Sequence, residues 1–154
     1  MTERASTEFI VIHCSFTKPS MDHVDEHVIR QWHVEKGWAD AGYNVVIPRK
    51  KISGGLIEIA RPLDWRGAHV RGYNNRAIGV CLVGGMSEDG GNEDNFLPEQ
   101  MAALERSVLF LLEVYPDAVI AGHNAFTKSK TCPNFDWRSW ADEQGFPVRP
   151  SGVT

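Results

Sequence analysis

The sequence is poor in cysteine, with three in all (Cys14, Cys81 and Cys132) and no pair at CxxC spacing. Such an odd, scattered set does not make the framework of a small disulfide-stapled secreted domain, and it suits a reducing compartment. Long apolar runs are also missing. The longest, FIVI (9–12) and VLFLL (108–112), fall far short of the roughly 20 residues that a membrane-spanning helix needs, so no membrane insertion is expected. Residues 1–9, MTERASTEF, mix charges of both signs around no apolar segment, so no secretory leader is expected and the cytoplasm is the expected starting compartment. An excess of positive charge is absent as well. Sixteen Lys and Arg face twenty Asp and Glu, for a net charge of −4 and a pI near 5.8, which supplies no general field for phosphate backbones and argues against dedicated nucleic-acid binding. Glycines 67, 72, 79, 84 and 85 fall in neither GxGxxG nor Walker spacing, so they are assigned to turns and close packing rather than to phosphate.

What is present suffices for one ordinary domain. At 154 residues, with 42% apolar and 10% aromatic side chains, the chain can bury roughly 68–70% of its unfolded surface without staples. Phe9 to Ile12 is an unbroken β-favouring run that reads as a strand buried on both faces. Val28, Ile29 and Trp32 give helical spacing from about Asp25 to Lys36, ahead of Gly37. Short strands are expected at 44–47, 56–60, 78–83 and 118–121. Pro98 opens a helix whose stripe of Met101, Leu104, Val108, Leu111, Leu112 and Tyr115 runs to Pro116, and Asp136 caps a last helix ending at Gly145. Residues 85–95, acidic and glycine-rich, read as a mobile surface loop. The expected architecture is an α/β (α+β) domain over 9–146, a central mixed β-sheet flanked by helices, between an N-terminal tail (1–8) and a C-terminal tail (147–154).

Chemistry is expected where strands end. His13 follows FIVI, His123 follows VIAG, and Cys132 lies nine positions further on. Two imidazoles and one thiolate leave the fourth position of a tetrahedral zinc ion open, as in catalytic rather than structural sites. Spacing alone leaves a blander reading open: a strand-end histidine that is merely hydrogen-bonded and a cysteine that packs as a small hydrophobe. His23, His27 and His33 are assigned to a solvated face, and Cys14 and Cys81 to packing in or beside strands.

The segments VIHCSFTKPS (11–20), IRQWHVEKGWADAGYNVVI (29–47), GAHVRGYNNRAIGVCLVGG (67–85) and GHNAFTKSKTCPNFD (122–136) resemble zinc-dependent N-acetylmuramoyl-L-alanine amidases, in order, across residues 9 to 140. Within that family the chain is most similar to small single-domain phage lysozyme-amidases, related to the peptidoglycan recognition proteins. The resemblance implies a zinc cleft and hydrolysis of the amide between N-acetylmuramic acid and L-alanine. It places the family's zinc ligands on His13, His123 and Cys132, its tyrosine on Tyr43 and its lysine, two positions before the cysteine, on Lys130. Tyr43 is then expected to orient or help deprotonate the attacking water, and Lys130 to donate to the developing oxyanion. His69, Asn74, Arg61 and Trp65 are expected to contact substrate, the last two on the sugar side.

Departures from the family pattern set the remaining expectations. The turn after the tyrosine strand is replaced by PRKKISGGLIE, which alters the rim of the cleft. The loop from His123 to Cys132 is one residue longer than in the phage relatives, which makes Lys128 a rival to Lys130. The leading expectation is an endolysin that reaches peptidoglycan from the host cytoplasm once a holin-type factor has opened the membrane, with a monomer as the default state. Some phage members of the subgroup also bind a phage RNA polymerase and restrain transcription, and the resemblance leaves that second role open to this chain. The alternatives are a non-catalytic peptidoglycan recognition module, disfavoured by retention of all three ligands, and a cytoplasmic muropeptide-recycling amidase, whose relatives more often carry Asp at the position of Cys132.

Overall fold

In the computed structural model, which describes residues 2–50 and 56–150, β1 (Phe9–Cys14) is the middle of the sheet's buried part. Its Ile10, Val11 and Ile12 have no exposed surface, each such side chain contributing about 1.5–3 kcal/mol by burial. β4 (Ala77–Leu82) and β5 (Val119–Gly122) flank β1 in parallel, and β2 (Val45–Ile47) pairs in parallel with β4. β3 (Glu58–Ile59) closes one edge antiparallel to β2, giving the order β3-β2-β4-β1-β5. The sheet is therefore mixed and the fold class α/β, with four parallel strands carried as unbroken apolar runs. The expected strand over 56–60 is reduced to two residues, because Ile57 and Ile59 lie on an exposed edge, 39% and 53% accessible.

Among the described residues, three helices cover the sheet. α1 (Glu26–Glu35) starts where the Asp25 carboxylate accepts the Val28 N–H at 2.9 Å. α2 (Pro98–Val114) begins with proline at its first position and buries Ala103, Leu104, Val108 and Leu111 in the main core. Its buried Gln100 donates to the carbonyls of Ile47 and Val83 and accepts the Leu97 N–H, tying the helix start to the strand ends. α3 (Trp137–Gln144) is capped by Asp136, which accepts from Ser139, and stops at Gly145, whose φ of +75° suits a residue without Cβ.

Both segments expected to be tails are docked where they are described. Glu3 bridges Trp65, and Arg4, only 9% exposed, donates to the Trp65 carbonyl. Pro147 and Arg149 pair with Ile120 along the free edge of β5; residues 151–154 lie outside the described residues. Unpaired backbone at a sheet edge recruits such segments. Residues 85–95 are also folded on themselves: Met86 bridges Asn92, and Asn95 accepts from Gly85 and donates to Met86. Of PRKKISGGLIE, positions 51–55 lie outside the described residues.

Candidate metal centre

Parallel register explains why the two histidines meet. Ile12 pairs with Gly122, so His13 and His123, the next residue of each strand, emerge side by side at the carboxyl edge of the sheet, where α/β domains place their sites. Their ring centroids are 4.7 Å apart. A 3-10 turn (His123–Ala125) then starts the loop that returns Cys132, held by Asn124 N–H donating to the Cys132 carbonyl at 2.9 Å and by Cys14 N–H donating to Cys132 Sγ at 3.0 Å. Among the described residues, one ligand atom each from His13, His123 and Cys132 lies within 4.8 Å of the others. A tetrahedral ion with zinc-type bond lengths sets its donors roughly 3.3–3.6 Å apart, so modest side-chain rotation closes the three around one ion.

Electrostatics suit this use. Burial, followed by the neighbouring His69 and His123, pushes His13 well below the ordinary histidine value, and burial followed by Lys130 lowers His123. Both rings are therefore neutral at pH 7 with lone pairs available. The shared hydrogen bond with the Cys14 thiol, then burial, pushes the Cys132 thiol up; a coordinated cation reverses that, since a coordinating thiol is deprotonated outright. Two nitrogens and a sulfur form a donor set that zinc favours.

Two cavities meet at this cluster. One, of about 320 Å³, is bordered by Cys14, Phe16, Tyr43, Asn92, Thr131 and Asn134; the other, of about 510 Å³, by Trp38, His69, Val70, Arg71 and Asn74. His123 and Lys130 border both, and Lys128 borders neither. Tyr43 sets its ring 5.1 Å from that of His13. Burial, followed by the thiols of Cys81, Cys132 and Cys14, pushes its phenol well above its ordinary value. The segment before it is fixed by His33, whose Nδ1 accepts the Gly42 N–H at 2.7 Å. His33 is thus buried, 9% exposed, against its expected place on a solvated face, because the chain after α1 folds back over it.

Of the four residues expected at substrate, His69 and Asn74 border the larger cavity, and Arg61 and Trp65 border neither of the two. His69 Nδ1 lies 2.9 Å from His13 Nε2, and His69 Nε2 lies 3.2 Å from the Ala77 carbonyl, so both ring nitrogens are committed within the protein. Asn74 borders the larger cavity while its Oδ1 accepts the N–H groups of His69 and Val70, both at 2.8 Å. Arg61 is buried, donates to the Arg66 carbonyl and borders neither of the two cavities, and the Trp65 carbonyl accepts from Asn44 and Arg4. Buried backbone carbonyls need donors, and these side chains answer that need. Sequence reasoning missed Cys14, which touches Cys132, and Phe16, whose φ of +53° and 42% exposure project an aromatic ring into the smaller cavity. Its place directly after His13-Cys14-Ser15 was the available signal.

The family model described as N-acetylmuramoyl-L-alanine amidase matches residues 3–135. The chain belongs to the N-acetylmuramoyl-L-alanine amidase family. Among amidase relatives, an endolysin of Klebsiella phage KP32 is 47% identical over 140 residues, covering 90% of this chain and 88% of the relative. The endolysin of Escherichia phage T7 is 44% identical over 138 residues, covering 90% and 87%. The solved endolysin amidase LysCS from Clostridium intestinale superposes with a TM-score of 0.78 at 24% identity, covering 97% of this chain and 90% of that one, and Drosophila PGRP-LB with a TM-score of 0.75 at 20% identity, covering 99% and 89%. These two superpositions share the amidase fold with the chain.

Proposed function

We propose that the protein is an endolysin that hydrolyses the amide bond between N-acetylmuramic acid and L-alanine of peptidoglycan, using zinc held by His13, His123 and Cys132. The observation that carries this reading is the convergence of those three donors, from two parallel strand ends and one loop, with His123 on the wall of both cavities and Cys132 on the wall of the smaller. When bound there, zinc supplies a Lewis acid and acidifies water at its open position. The chain's own residues do the rest. The cavities on either side of His123 and Lys130 let the glycan and the stem peptide extend in opposite directions, which brings the scissile amide over the donors. Lys130 borders both cavities and places its ammonium beside the carbonyl oxygen as negative charge builds there. Tyr43, on the wall of the smaller cavity beside His13, orients or helps deprotonate the attacking water. As an endolysin the protein acts on the host wall after release from the cytoplasm.

The test is mass spectrometry of purified peptidoglycan digested by the zinc-loaded protein, beside a chelator-treated sample with zinc added back. New L-alanine amino termini on intact glycan strands, lost on chelation and restored by zinc, are expected. A folded, zinc-containing sample that cleaves nothing overturns the reading in favour of a recognition module.

A further inference from the structure

We infer that His69 is a positioning residue: through a hydrogen-bonded relay from the Ala77 carbonyl it fixes the tautomer and ring orientation of His13, so that His13 Nδ1 is the atom presented to the metal. The inference rests on the metal-site reading above and adds a residue that does not touch the ion.

The direction of the relay follows from hydrogen-bond chemistry. A carbonyl only accepts, so the 3.2 Å contact between His69 Nε2 and the Ala77 oxygen puts a proton on His69 Nε2. In a neutral ring the other nitrogen is then bare. His69 Nδ1 must accept, and its partner at 2.9 Å, His13 Nε2, must donate. A neutral His13 carrying its proton on Nε2 has its only free lone pair on Nδ1. Buried neutral rings suit this assignment: His13 is 1% exposed and His69 9%. Partners of this kind, which hold the second nitrogen of a ligating histidine, set its orientation and basicity.

The surroundings are shaped to hold the ring of His69. A Cβ on Gly79, in β4, would stand 2.8 Å from its Cγ and Cδ2 and 2.9 Å from its Nδ1, and a Cβ on Gly67 would stand 2.8 Å from its Cδ2. The imidazole therefore lies against two positions that have room only for hydrogen. Asn44 fixes one of them by accepting the Gly79 N–H at Oδ1 while its own N–H donates to the Gly79 carbonyl. Asn74 fixes the backbone around His69 by accepting the N–H groups of His69 and Val70. The rings of His13 and His69 meet edge-on at 87° with centroids 4.9 Å apart, which is compatible with an in-plane N–H to lone-pair contact.

The experiment combines long-range proton–nitrogen NMR of the zinc-free protein with zinc affinity by chelator competition. The wild type is expected to show both His13 and His69 protonated on Nε2. His69→Phe keeps a ring but removes both nitrogens, and is expected to lose the single His13 tautomer and to bind zinc about 10–100-fold more weakly, the usual effect of removing such a partner. His69→Asn places an amide oxygen near the position of Nδ1 and is expected to recover much of that affinity. Wild-type His13 protonated on Nδ1 overturns the relay, as does His69→Phe binding zinc like the wild type. Should His69→Phe fail to fold, the wild-type tautomers and the His69→Asn affinity decide. Wild type that binds no zinc defeats the metal reading and the relay together; tight zinc binding with the wrong tautomer defeats the relay alone.

Discussion

Gly79→Ala probes the relay without altering any histidine. The new methyl would sit 2.8–2.9 Å from three atoms of the His69 ring, against 3.4 Å or more in ordinary contact, so the ring must retreat by 0.5–0.6 Å. The three atoms are nearly equidistant from the methyl, so it meets the face of the ring and drives it along its normal, which lengthens the 2.9 Å bond to His13 only to about 3.0 Å but tilts it out of the ring plane by roughly 12°. Overpacking of this kind costs about 1–3 kcal/mol. For a chain of this length each kcal/mol lowers the Tm by about 2–4 °C, so thermal unfolding of the zinc-free variant is expected roughly 2–12 °C below wild type. Zinc affinity is expected to fall, by less than the roughly 10–100-fold that follows outright removal of such a partner. Gly72→Ala is the control: its φ of +85° makes alanine strained, but no atom lies within 4 Å of the added carbon. It should lose about 1 kcal/mol and bind zinc normally. Gly79→Ala matching wild type in both Tm and zinc affinity would refute the packing argument.

Three further outcomes follow from the same geometry. Lys130→Ala should retain zinc and lose roughly 10²–10³-fold in kcat, the worth of one oxyanion donor, while Lys128→Ala stays near wild type; the reverse ranking in a muropeptide assay would reassign the lysine. Cys132→Ser should lose both zinc and activity, because a neutral hydroxyl is a far poorer ligand than a thiolate; full activity with bound zinc in that variant would sink the metal assignment. His33 titrates near 4 in the folded protein, lowered by burial and then by Lys36 and Arg61, against about 6.5 unfolded. The unfolded chain takes up the proton first, so the stabilising contribution is complete above pH 6.5 and is lost as the pH falls from 6.5 to 4. After discounting for screening it amounts to about 1–2 kcal/mol. Denaturant unfolding of wild type and His33→Gln across that window should show the two curves converging toward acid; parallel curves would contradict the assignment.

Much of this was legible in the chain because the elements are locally consistent. Asp25, Pro98, Asp136 and Gly145 mark helix ends in the sequence and mark them in the structure. The apolar runs of β1 and β5 placed His13 and His123 at strand ends, and parallel pairing made those ends neighbours. Roles that depend on where the second atom of a side chain points were not legible. His69 and Asn74 sit in a segment that matches cleft residues of the family, yet their polar atoms turn inward to His13, Ala77 and the local backbone. His33 reads as a helix-face histidine, and only the return of the chain at Gly42 buries it. Gly67 and Gly79 read as packing glycines, but the ring they accommodate is visible only once β4 stands beside residue 69.

The most direct test of the metal centre is anomalous X-ray scattering from crystals of the zinc-loaded protein, recorded above and below the zinc edge. One ion is expected among His13 Nδ1, His123 and Cys132 Sγ, with Zn–N about 2.0–2.1 Å and Zn–S about 2.3 Å, and with His13 Nε2 still bonded to His69. An active crystal whose zinc peak lies elsewhere, or is bound through His13 Nε2, would contradict the account.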